Sequence, residues 1–301
     1  MFVPFISKPS KARLRKLYRR KGGGGGKGGG SSSSSGGVSA GGGGGTARSS
    51  PITSGGTTRS ASTSGAGGGT PAAIPAGQPF AGRISGGGTR GQVYGNQQYG
   101  SGYPNIAGRG VANRGFPFVF WPLAWGGIAG VGAGAYLHNS EYGRPNNGSR
   151  PGGPMVTAAF ISNSTNTTYR LLADNTTVVD LLPEIHSQCD SMLSGNSSTS
   201  PSMYNDSLTA LPQPEQAIQY YRASSVALSL DGYNNTGALG PEGTPDTPLP
   251  TNIDRALLDC LNMTIGTSVP LVDSAGIRNW AAPNMGIFGL FWVVWYMTHL
   301  I

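Results

Sequence analysis

The chain divides near residue 140 into two parts that cannot share one folding principle. Residues 1–140 carry 38 of the 51 glycines and fifteen Lys or Arg without one Asp or Glu, whereas residues 141–301 carry all thirteen acids and six Arg. The net charge of +8 is thus +15 from the first part and −7 from the second. A glycine-dense, acid-free segment loses much conformational entropy on ordering and brings few apolar side chains to offset the loss. The split therefore points to one modest domain, placed in the second part of the chain.

Read in order, residues 1–100 form a basic Gly/Ser-rich arm, expected to be disordered and to act as a flexible tether. Its first 27 residues hold nine Lys or Arg behind the short apolar run MFVPFI. A secretory signal has the opposite order, with cations before the apolar run, so no cleavable signal is read here. A mitochondrial-type presequence in SKPSKARLRKLYRRK does not suit the polyglycine that adjoins it. Residues 101–153 are an apolar Gly/Pro-rich segment. Within it, residues 116–137 are uncharged, and Gly126, Gly130 and Gly134 would give a helix a smooth face. Cations upstream and Glu141 downstream fit a signal-anchor, but seven Gly or Pro in 22 residues fit a packed, turn-rich segment as well.

Residues 274–301 read as a C-terminal anchor. Gly286 to Ile301 has no formally charged residue, and from Trp280 onward a helix would cover about 33 Å, enough to span a hydrocarbon core. Ser274, Ala275 and Gly276 are three small residues followed by the spacer IRNWAAPNM and the apolar end, the order of a lipid-anchor attachment signal. Two uses of the tail stay open: removal on lipid transfer, or retention as a transmembrane helix.

Between these segments, residues 154–273 are expected to form a glycosylated domain. Ten asparagines lie between Asn147 and Thr264, and eight begin an Asn-x-Ser/Thr acceptor: Asn147, Asn163, Asn166, Asn175, Asn196, Asn205, Asn234 and Asn262. That density points to a lumenal or extracellular domain. MVTAAFIS and TYRLLAD read as a hairpin across the turn NSTNT. Val178, Leu181, Leu182, Ile185 and Cys189 follow helical spacing behind a Thr177/Asp180 capping pair, with Pro183 expected to kink that helix or delay its start. PEQAIQYYR reads as a short helix, SSVALSL as a half-buried strand, and the segment after Thr251 and Asp254 as a third helix. The expected fold class is a small single α+β domain, with about three strands and three helices.

Chemistry-bearing patterns are sparse. Gly37 to Gly41 satisfies the nucleophile-elbow spacing without the flanking strand and helix, and Gly130 to Ala135 fits a dinucleotide fingerprint without a βαβ unit. Gly26-Lys27 is followed by Gly28, so there is no phosphate loop, and His138, His186 and His299 are scattered rather than set at metal-ligand spacing. No cofactor, metal or catalytic residue is read. A hydrolase built on Asp174, Asp231 and Glu184 is conceivable. Arg90-Gly91, Gly108-Arg109-Gly110 and Arg114-Gly115, near Tyr94, Tyr99 and Tyr103, have the composition of arginine-glycine segments that bind RNA, although nucleic acid is the less favoured partner. Cys189 and Cys260 allow one disulfide, which an oxidising compartment favours.

The phrases RGFPFVFWPLAWGG, HNSEYGRPNNGSRPGGPM, QYYRASSVALSLDGYNNT and CLNMTIGTSVPL resemble an uncharacterised group of Gly-rich, N-glycosylated fungal surface proteins with a hydrophobic C-terminal anchor. The likeness runs from about Gln78 to the C-terminus. It implies a secreted Gly-rich arm, a small glycosylated domain, a membrane-associated tail and no defined activity. The resulting expectation is a membrane- or wall-attached surface glycoprotein with a structural or interaction role. Its partners would be the bilayer through the tail and anionic wall polymers or lipid head groups through the basic arm.

Overall fold

The computed structural model describes residues 50–106, 108–125, 135–138, 140–207 and 210–273. At its centre lies the hairpin of β5 (Met155–Ile161) and β6 (Thr168–Asp174), in register from Met155↔Asp174 to Ile161↔Thr168. Alternation along these strands sends Val156, Ala158 and Phe160, with Tyr169, Leu171 and Ala173 opposite them, to one face. A second hairpin, β8 (Ala217–Tyr221) and β9 (Val226–Leu230), pairs through β9 with β6, and β7 (Ser202–Met203) adds an edge beside β5. The five-stranded sheet is antiparallel throughout, in the order β7-β5-β6-β9-β8.

Each hairpin leads into a helix, α1 (Asn175–Cys189) after the first and α2 (Arg255–Ser268) after the second. The molecule thus repeats one hairpin-plus-helix unit, with the second strands β6 and β9 meeting in the middle. Both helices start at an aspartate cap: the Asp174 side chain accepts from Thr177 N and the Asp254 side chain from Leu257 N, each at 3.0 Å. Both cover the same sheet face. The Phe160 ring meets His186 of α1, the Tyr169 hydroxyl donates to the Asp254 carbonyl, and the Tyr221 hydroxyl donates to Asn262 Oδ1 of α2. Val178, Leu181, Leu182 and Ile185 from α1, and Leu257, Leu261 and Ile265 from α2, fill the space beneath.

The sheet's other face is covered by the glycine-rich part of the chain. β1 (Ser50–Ser54) and β2 (Thr57–Ser62) form a hairpin across Gly55-Gly56, both at positive φ as a tight two-residue turn requires. β10 (Leu271–Val272) pairs with β2, so the last described strand closes on the first hairpin. β3 (Ala72–Ala73) and β4 (Ile84–Ser85) make a small ribbon. From Gly86 to Trp125 the chain is irregular yet packed: Val93, Tyr99, Val111, Phe116, Phe118, Phe120, Leu123 and Trp125 are all buried. Trp125 and Tyr99 pack on Tyr220 of β8, and the Ala124 amide meets Met155 Sδ of β5.

These observations correct the expected fold class. The folded unit is sheet-rich, with ten strands in three sheets and two α-helices among the described residues, in place of about three strands and three helices. The expected disorder of residues 1–100 fails from Ser50 onward. The segment has few apolar residues, but Ile52, Ala61, Ile74, Val93 and Tyr99 are spaced so that each reaches the core. Its glycines permit backbone contacts closed to other residues. At Gly100, with φ +99°, a Cβ would stand 2.1 Å from the Gly110 carbonyl oxygen.

The expected helix PEQAIQYYR is a single 3-10 turn, Pro214–Gln216, followed by β8. Tyr220 packs towards the glycine-rich layer and Tyr221 towards α2, and only a strand sends consecutive side chains to opposite faces. α1 starts two residues earlier than its apparent Thr177 cap because Asp174 does the capping. Pro183 sits inside α1 beside exposed Val179, on the side where water can meet the carbonyl that the proline leaves unpaired. Phe116 to Trp125 packs in the core. Among the described residues no helix is long and apolar enough to cross a membrane. The expected C-terminal anchor, with Ser274, Ala275 and Gly276, and the stretch 126–134 lie outside the described residues.

Candidate functional site

The three layers meet at Arg222, which is wholly buried in the turn between β8 and β9. Arg222, Ala223 and Ser224 all have φ between +50° and +59°, a left-handed backbone that side chains other than glycine's resist. Several bonds hold it. Arg222 donates from Nη2 to Asp174 Oδ2 at 2.6 Å, from Nη1 to the Pro270 carbonyl at 2.9 Å and from Nε to Ser225 Oγ at 2.7 Å, with its guanidinium 3.4 Å from the Phe120 ring centre. Ser224 Oγ accepts from the Gly100 amide, and its carbonyl accepts from Leu123 N. Burial lowers the Arg222 pKa to about 10 while Asp174 opposes the shift, so the guanidinium stays charged at neutral pH. Strained backbone often marks a reactive site. Here every strained residue faces inward, and the strain serves to join the layers.

The carboxylates considered for hydrolysis do not converge. Asp174 ends β6 and is used by Arg222 and the α1 cap, while Asp231 follows β9 beside Thr168, at the opposite end of β6. Six residues of strand put about 20 Å between those two ends. Asp231 forms a two-pronged ion pair with Arg170, at 2.8 Å for each closest contact. Glu184 is half-exposed on α1. His186 meets the Ser198 carbonyl through Nε2 at 2.9 Å, and no group of three metal-ligating side chains comes together among the described residues.

The arginine-glycine positions are used internally. Arg90 donates to the carbonyls of Thr63, Gly65 and Val269, Arg109 to those of Gly237, Ala238, Gly240 and Thr244, and Arg114 to those of Gly100 and Gly108. Arg109 and Arg114 also stack on Tyr136 and Tyr103. Irregular backbone must satisfy its carbonyls somewhere, and these guanidiniums, with five donors each, do so. Their charge is turned to the chain's own backbone rather than presented as an RNA-binding face.

A cleft of about 650 Å³ opens where the layers adjoin. Its walls are Pro51 and Thr53 to Gly56 of the first hairpin, Gln78 and Pro79, the loop Gly148 to Gly153, and Asn175 and Thr176 at the start of α1. Trp121 and Arg150 form its inner side, with the guanidinium 5.7 Å from the Trp121 ring centre and donating to the Tyr142 and Trp121 carbonyls. Burial lowers the Arg150 pKa to about 10, so it too stays charged at neutral pH. Sequence reasoning missed this cleft because its walls come from five separated stretches. The one visible signal was Arg150-Pro151-Gly152-Gly153, which reads as linker.

The eight glycosylation acceptors all lie at accessible positions. Asn163, Asn166, Asn196, Asn205 and Asn234 are exposed, and Asn147, Asn175 and Asn262 are half-buried. Asn235, which begins no acceptor, is 1% exposed and bonds through both amide atoms, to Asp246 and to Thr247 N. Asn147 and Asn205 close turns by accepting from Ser149 N and Ser207 N. Cys189 and Cys260 are joined, with Cα atoms 5.9 Å apart, tying the end of α1 to the middle of α2. No known protein family, curated protein or solved structure matches the chain.

Proposed function

We propose that the chain is a surface glycoprotein of the secretory route, attached at the membrane or cell wall through its C-terminal segment, with a structural or interaction role. The observation that carries this reading is the sorting of asparagines. All eight acceptor asparagines are reachable by a glycan, while Asn235, the buried asparagine between Asn147 and Thr264, begins no acceptor. Glycans at exposed loops and turns would cover the domain without disturbing its layers. The joined cysteines suit an oxidising compartment. The basic N-terminal arm supplies charge for anionic wall polymers or lipid head groups.

Treatment of the protein from its native host with peptide N-glycosidase tests the reading. A fall in apparent mass by several glycan units is expected. An unchanged mass would reject glycosylation and with it the assigned compartment.

A further inference from the structure

Asn175 is the acceptor that stands where the layers adjoin. It is the first residue of α1 and forms part of the wall of the 650 Å³ cleft. The remaining walls have the chemistry of a sugar site. Thr53, Ser54, Gln78, Ser149 and Thr176 offer hydroxyl and amide groups, and Pro51, Pro79 and Trp121 offer apolar surface for the carbon face of a pyranose ring. Two of its glycines leave the cleft open: outside the neighbouring residues no heavy atom lies within 4 Å of a Cβ placed at Gly148, and only the Asn175 Cβ lies that near one placed at Gly153. Among the described hydrogen bonds none uses the Asn175 side chain, so its amide nitrogen is available as a glycan stem.

We infer that this cleft is the seat of the inner N-acetylglucosamine units of a glycan on Asn175. The inference rests on the proposed glycosylation of the domain and adds a place and a role for one glycan. A stem lying there touches the first hairpin, the loop before β5 and the start of α1 together. It therefore fastens the glycine-rich layer to the helical one at the rim, as Arg222 does in the interior. The glycans on Asn163 and Asn196 stand on exposed residues and serve as internal controls.

The test is site-resolved release of glycans by peptide N-glycosidase from the native, full-length protein isolated from its host, followed by mass spectrometry. A seated stem is open to the enzyme only while displaced, so release at Asn175 should be about tenfold slower than at Asn163 and Asn196. Denaturation should abolish the difference. Equal native rates at all three sites would overturn the seat and leave the glycoprotein reading intact. A bare Asn175 beside occupied neighbours would overturn it equally. Bare asparagines at all eight positions would overturn both.

Discussion

The two faces of the five-stranded sheet are covered by opposite means. On one side, two capped helices present apolar stripes and are tied by Cys189–Cys260. On the other, an irregular, glycine-rich stretch reaches the sheet with scattered aromatic anchors, and arginines bond to the carbonyls that helices would satisfy for themselves. Regular secondary structure is therefore one of two ways to answer the backbone's demand for partners. A chain with enough guanidiniums and rings can meet it without periodicity.

If the two faces are equal partners in one core, the largest effect follows from removing one of them. Deletion of residues 50–100 takes away the first hairpin, Val93 and Tyr99, and the protein should lose its cooperative thermal transition. A retained transition would show that the helical side stands alone.

Arg222→Met comes next, because it leaves Asp174 buried without its partner. Breaking a buried pair on one side costs about 3–5 kcal/mol, and a Tm that falls by only a degree or two would refute the joining role. Phe118→Ala and Phe160→Ala then compare the faces directly. Both rings are fully buried, Phe118 in the glycine-rich layer and Phe160 under α1. Each should cost about 3–5 kcal/mol in denaturant unfolding, whereas a loose glycine-rich layer would absorb the first change for much less.

The smallest effect concerns pH. Burial raises the pKa of Tyr99, Tyr103, Tyr220 and Tyr221 well above the ordinary phenol value, and that of Tyr233 to about 12. A phenol whose folded pKa is raised contributes stability that is whole below the unfolded value, about 10, and fades as pH rises beyond it. Chemical denaturation followed from pH 9 upward should show stability falling above about pH 10. Tyr99→Phe should cost about 1 kcal/mol at neutral pH, through the lost bond to the Leu123 carbonyl, and should flatten the alkaline decline. An unchanged slope would mean that Tyr99 is not sealed by the layer.

The two faces were also unequally legible in the sequence. The runs MVTAAFIS and TYRLLAD on either side of the polar turn NSTNT, and the apolar stripe from Val178 to Cys189, announce the central hairpin and α1 because each element carries its signal within a few consecutive residues. β8 was misread because Ala217, Ile218 and Tyr221 fit a helical stripe as well as a strand buried on both faces. The glycine-rich layer left no period to detect. Its anchors at Ile52, Ala61, Ile74 and Val93 are nine or more residues apart, and its glycines and serines dominate any local average. Arginine–glycine pairs suggested an external polyanion because nothing local tells a guanidinium aimed at its own backbone from one aimed at phosphate. The acceptor asparagines were legible one by one, but the cleft that Asn175 lines exists only after folding.

Amide hydrogen exchange across Gly86–Leu123, measured beside β5 and β6 in the same native sample, tests the shared core most directly. The account predicts that amides such as Gly95, Gly110 and Leu123, bonded to the carbonyls of Tyr220, Tyr99 and Ser224, exchange as slowly as those of the central hairpin. Exchange of that stretch at the rate of an unstructured chain, with β5 and β6 still protected, would contradict it.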